Sequence, residues 1–158
     1  MHTENTIYIQ GSQDRIFQLA ADIQDWPTLL PHYSEVTVFE SSLEGRHKIV
    51  EMAALRQDFP VPGLNFPVRW RSVQFCDPER GEILFKHLAG VAVGMWVIWT
   101  LKPDPWGRGV RVSIRHDLVY PFDFLNGWFA QNMVGRQFVA SIAGRTLATI
   151  KAKVESES

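Results

Sequence analysis

Val110-Arg111-Val112-Ser113-Ile114-Arg115-His116-Asp117-Leu118-Val119-Tyr120 is the stretch whose reading decides the fold. Successive side chains of an extended strand point to opposite faces. Val110, Val112, Ile114, His116, Leu118 and Tyr120 therefore share one face, and Arg111, Ser113, Arg115 and Asp117 share the other. So clean a division predicts an antiparallel strand with one buried and one wet face. Period two also governs Val36 to Phe39, Lys48 to Ala54, Val68 to Phe75, Ile83 to Leu88 and Met95 to Leu101. Glu44-Gly45, Glu79-Arg80-Gly81 and Pro105-Trp106-Gly107 supply turns between several of them.

Upstream, Thr6-Ile7-Tyr8-Ile9 reads as a first strand, ended by Gly11-Ser12. Ser12 suits the N-cap of a helix from Gln13 to Ala21, which places Ile16, Phe17, Ala20 and Ile23 at helical spacing. Asp25-Trp26-Pro27 opens a second, short helix that Pro31 stops. From Phe124 to Val154 there is no proline and the period is helical. The predicted order is strand, two helices, about six strands and one long helix. Strands without crossover helices make an antiparallel sheet. One such sheet buries its apolar face against a single helix by curling around it. The fold class is α+β: a curved antiparallel sheet of about seven strands wrapped around a long C-terminal helix, in one domain over residues 1–158.

The 158 residues and a net charge of -1 fit one globular domain and lack the basic footprint of a nucleic-acid binder. The lone cysteine, Cys76, leaves no internal disulfide and no paired-thiol zinc site, which points to a reducing, cytoplasmic setting. No secretory signal is visible at Met1-His2-Thr3-Glu4-Asn5. The uncharged run from Leu88 to Leu101 is short of the roughly 20 residues that span a bilayer. Phosphate-binding glycine loops, zinc-protease and serine-hydrolase motifs are absent, and the five histidines are too scattered to suggest a metal. No cofactor is expected.

Chemistry concentrates where polar groups interrupt apolar rows. His116 is the one ionisable group in its row; it reads as a pocket acid, base or donor, or as a core histidine bonded to a neighbour or water. On the last helix, Leu125, Phe129, Asn132, Arg136, Val139, Ala140, Ala143, Leu147, Ile150 and Val154 form a stripe with Asn132 and Arg136 in its middle. A buried guanidinium needs partners, so Arg136 faces a wet pocket or snorkels past Gly135 to solvent. Ala140, Ala143 and Gly144 leave room between helix and sheet. In the fourth strand Trp70, Ser72, Gln74 and Cys76 share the inner face, opposite Arg69 and Arg71. The apolar connection from Phe59 to Pro67 reads as a pocket rim or as a loop packed on its own domain.

Asp25-Trp26-Pro27 with Pro31-His32-Tyr33, the Trp99-Thr100 strand, and the run from Phe138 to Leu147 followed by Ile150-Lys151 resemble START-like helix-grip proteins. The resemblance is to the polyketide cyclase/dehydrase and coenzyme Q-binding groups and spans Thr6 to Glu155. It implies a pocket for a small hydrophobic or aromatic ligand, with Trp26, Tyr33, Trp70 and Trp99 at aromatic pocket positions; Gln74, Phe85, His87, Phe129 and Asn132 join them as candidate pocket residues of this chain. For cyclases it implies aldol ring closure and loss of water on a poly-β-ketone; the candidate catalytic residues of this chain, from the helix and strand patterns, are Arg136 and His116. The strand arginine that some members use for catalysis would fall at Gln74, which is no cation. Either Arg136 takes that role, with His116 or His87 assisting, or the protein is a carrier or sensor for a lipid, quinone or isoprenoid. An interaction module is a third reading, with Trp96 and Ile98 on the opposite strand face as a homodimer contact.

Overall fold

A computed structural model describes residues 1–57, 62–90, 92–119 and 136–157. The elements are β1 (His2–Ile9), α1 (Gln13–Ala21), a 3-10 turn (Ile23–Asp25), α2 (Trp26–Leu29), β2 (Tyr33–Ser42), β3 (His47–Arg56), β4 (Phe66–Asp77), β5 (Glu82–Gly90), β6 (Trp96–Pro103), β7 (Val110–Asp117) and α3 (Arg136–Ser156). The strands form one antiparallel seven-stranded sheet in the order β1-β7-β6-β5-β4-β3-β2.

Period two sets the inside of this sheet. Val110, Val112, Ile114 and His116 are buried while Arg111 and Arg115 are exposed, and Trp70, Ser72, Gln74 and Cys76 are buried against Arg69 and Arg71. Trp96 and Ile98 lie on the convex face, where the Lys86 ammonium sits 4.4 Å from the Trp96 ring centroid.

Several boundaries differ from the pattern. β1 starts at His2, not Thr6, because its whole length pairs with β7, from His2↔Asp117 to Ile9↔Val110. β2 runs from Tyr33 to Ser42 along β3, with two register shifts that the sequence does not announce. Phe66 and Pro67, connection by the sequence pattern, belong to β4 opposite Arg56 and Leu55. The expected helical stretch before Arg136 and the first residues of the Phe59 connection fall outside the described residues, as does Tyr120.

Helix α1 begins where Ser12 accepts from the Arg15 amide. Its C-terminal end is held down on the sheet: Gln74 Nε2 and Lys48 Nζ both donate to the Ala21 carbonyl, at 3.0 and 3.3 Å. Lys48 and Gln74 are cross-strand partners, and a cation at a helix C-terminus is favourable.

Helix α3 lies along β1. Asn5 Nδ2 donates to the Ala140 carbonyl at 3.2 Å, the Gln10 amide to Glu155 at 2.9 Å and Lys151 to the Tyr8 carbonyl at 2.7 Å. Gly11 permits the approach, since a Cβ there would fall 2.4 Å from Val154 Cγ1. Gly144 faces β1 too, its missing Cβ opposite Asn5, so it makes room for the strand and not for a cavity. We expect Gly11→Ala to cost about 1–3 kcal/mol through overpacking. In urea titrations, Val154→Ala should relieve part of that loss; strictly additive effects of the two changes would contradict the close approach.

Candidate functional site

Between the inner face of the sheet and α3 lies a cavity of about 640 Å³, including the space at its open mouth. Helix α3 contributes Phe138, Val139, Ile142, Ala143 and Thr146 to its wall, and the strands contribute Met52, Val68, Trp70, Phe85, His87, Val97, Trp99, Ile114 and His116. Trp26 and Tyr33 close it from the α2 side, and Ala92 and Met95 from the β5–β6 connection.

The wall is aromatic because Trp26 enters from the first turn of α2 and rings gather round it. Its centroid lies 4.8 Å from Tyr33, 6.0 Å from Trp99 and 6.2 Å from Phe85. Trp26 Nε1 donates to the Leu19 carbonyl at 3.0 Å, so the polar edge of this indole is already satisfied. A row of rings also runs from His32 to Tyr33, Trp70 and His87, with successive centroids 4.9, 6.2 and 5.7 Å apart.

Polar atoms collect at the two ends of that row, in different states. At one end His32 Nε2 lies 2.8 Å from Thr146 Oγ1, which donates to the Ile142 carbonyl at 2.9 Å. The hydroxyl has a single proton, so His32 Nε2 is the donor to it. At the other end, Trp70 Nε1, His87 Nδ1 and His116 Nδ1 are buried with no partner, as is Thr3 Oγ1 directly across the ladder from His116. Each such atom costs about 1–3 kcal/mol until something bonds to it.

Burial lowers the proton affinity of all three buried imidazoles. His116 is held at about 4. His87 is held at about 3, first by burial and then by the neighbouring His116. His32 is held at about 4, by burial and then by Arg145. Burial also keeps the Tyr33 phenol protonated. The imidazoles are neutral at pH 7, and a neutral imidazole offers one donor and one acceptor. Among the described residues, no charged side chain lines the cavity and no three potential ligands gather as a metal site.

Trp26, Tyr33, Trp70, Phe85, His87, Trp99 and His116 thus meet in one wall. Gln74 does not. It lies on the inward face, but four residues past Trp70 is roughly 13 Å along a strand, and there α1 covers the sheet and takes its amide. Phe129 and Asn132 fall outside the described residues, and Arg136 opens α3 with its side chain likewise undescribed. Sequence reasoning missed Met52, although it sits opposite Trp70 in the ladder. It also missed Ile142 and Thr146, which helical spacing from Val139 and Ala143 could have found.

Residues 9–145 match the family described as polyketide cyclase/dehydrase and lipid transport, and the chain belongs to that family. The fold recurs in solved structures of low identity. TTHA0849 of Thermus thermophilus is 18% identical at a TM-score of 0.78, over 100% of this chain and 99% of that one. The Zhui aromatase/cyclase of Streptomyces sp. R1128 is 18% identical at 0.75, over 99% and 94%. A START superfamily protein of Mycobacterium smegmatis is 11% identical at 0.72, over 99% of each. No curated protein matches the chain in sequence. Among the described residues no helix is long and apolar enough to cross a membrane.

The lowered imidazoles give stability a defined pH dependence. The unfolded chain takes up protons near pH 6.5, whereas folded His32, His87 and His116 resist until about 4, 3 and 4. Stability is therefore fully present above 6.5 and falls with pH below it, by at most about 1.4 kcal/mol per pH unit and imidazole. Glu155 and Glu157, held below their ordinary values, add losses only in the carboxylate range. Urea unfolding at pH 7 and pH 5 should show the drop, made shallower by His116→Gln or His87→Gln. An unchanged midpoint would contradict the burial of the neutral rings.

Proposed function

We propose that the protein binds, in this cavity, an apolar organic molecule with an aromatic or polyene body and at least one carbonyl or hydroxyl oxygen. The observation that carries the reading is the set of unpartnered nitrogens, Trp70 Nε1, His87 Nδ1 and His116 Nδ1, in a largely apolar wall rich in aromatic rings. The rings supply area for the body, and His116 and His87 receive the oxygen. Arg136, Phe129 and Asn132 belong to the proposed site on the sequence argument alone. Cys76, the single cysteine, can form no internal disulfide, which supports a reducing, cytoplasmic setting.

Binding without turnover is the reading we favour. Removing a proton next to a carbonyl calls for a base whose pKa lies near the working pH, and the cavity imidazoles are far weaker bases than that. A second reading, cyclisation or dehydration of a polyketide-like substrate, draws on one feature: a neutral imidazole N–H can donate to a developing enolate oxygen.

Tryptophan quenching should separate 2-hydroxyanthraquinone from anthracene, which share a ring frame and differ in oxygen. The quinone should bind about tenfold or more tightly, the worth of satisfying a buried polar group. His116→Phe should bring the two closer together. Equal affinities in the wild type would overturn the oxygen-recognition reading. Ring closure of a poly-β-ketone analogue, lost in His116→Phe, would move the protein to the cyclases.

A further inference from the structure

The His32 end of the aromatic row carries a cation that the fold leaves uncompensated. Arg145 sits on α3 immediately before Thr146 of the cavity wall and is half-buried. Its Nη1 reaches Gln57 Oε1 at 3.5 Å, the outer limit of a hydrogen bond, and its Nε is buried with no acceptor. No carboxylate of the described residues pairs with it. Seven other arginines of the described chain each lie within 3.8 Å of an aspartate or glutamate.

Its position gives the charge a use. Arg145 is close enough to His32 and Tyr33 to act on both electrostatically. Gln57 follows the end of β3, so the contact spans the seam between β3 and α3. Along the same seam the Arg56 guanidinium lies 5.2 Å from the ring centroid of Phe138, another residue of the cavity wall. Phe138 and Thr146 of the cavity wall adjoin this seam, Phe138 beneath the Arg56 guanidinium and Thr146 next to Arg145 in the chain. A guanidinium presents a planar fork of donors that matches a carboxylate in two parallel bonds.

We propose that the seam between the end of β3 and α3 is a carboxylate subsite, in which Arg145, beside Gln57, takes the acid group of a ligand whose apolar body fills the cavity. The inference rests on the cavity being the ligand site, and it narrows the ligand class to apolar carboxylic acids. Such a molecule has its acid at the His32 end of the aromatic row and directs any further oxygen towards His87 and His116.

The test compares cis-parinaric acid with its methyl ester, the same polyene body with and without the charge, by energy transfer from tryptophan. The acid should bind the wild type about tenfold or more tightly than the ester, as expected for a charge-assisted pair. Arg145→Gln should remove most of that preference while leaving ester affinity unchanged, which also shows that the variant is folded. Arg145→Lys, which keeps the charge and loses the fork, should fall between the two, and it carries the same test if Arg145→Gln does not fold. A preference that survives Arg145→Gln, or no preference in the wild type, overturns the subsite and leaves the cavity reading standing. Failure of both probes to bind overturns both.

Discussion

The pinning of α3 to β1 is the constraint on which the rest of the structure depends. A seven-stranded sheet offers more inner surface than one helix can cover, and α3 is not free to settle at its centre. Gly11 against Val154, Asn5 on the Ala140 carbonyl and Lys151 on the Tyr8 carbonyl hold it towards one edge. At the far side Lys48 and Gln74 hold the end of α1 down on β3 and β4. Among the described residues, the inner surface of the middle strands is then roofed by the cavity-facing stripe of α3, where Ala143 is small, with Trp26 and Tyr33 closing the α2 side. The cavity is what remains between two fixed supports.

Its lining keeps that space from closing. Large rings packed at tilted angles around Trp26 fix one another's positions, and stacked or tilted rings hold preferred geometries. The polar atoms of the cavity wall divide by location. At the α3 side Thr146 is spent on His32 and the Ile142 carbonyl. On the middle strands Trp70 Nε1, His87 Nδ1 and His116 Nδ1 have no partner. A core evolved only for packing would place apolar groups there, because an orphaned donor is costly and an apolar replacement of similar shape is not. A ligand oxygen, like a bound water, would complete the orphaned nitrogens that line the cavity.

How much of this is legible in the sequence follows from what each pattern measures. Alternation reports the face of a strand, and it places His116 and Trp70 inside correctly. It says nothing of depth along the strand, which is why Gln74, on the right face, reads as part of a cavity that ends before it. Depth depends on where α1 lands, a tertiary fact. The start of β1 is invisible for a similar reason: His2, Thr3, Glu4 and Asn5 carry no apolar alternation and are a strand only because β7 lies beside them. Thr146 reads as a surface residue in isolation, and its role comes from facing His32, 114 positions away in the chain. Arg145 carries no signal in the sequence because an arginine becomes significant only once its lack of a carboxylate is seen in space.

The central claim, that the cavity is a ligand site, is tested most directly by native mass spectrometry of freshly purified protein, followed by organic extraction of whatever it carries. The account predicts a single apolar, oxygen-bearing molecule bound one to one, or a bare protein that takes up one such molecule when it is supplied. A protein that is bare as purified and forms no stoichiometric complex with any apolar oxygenated compound would contradict it.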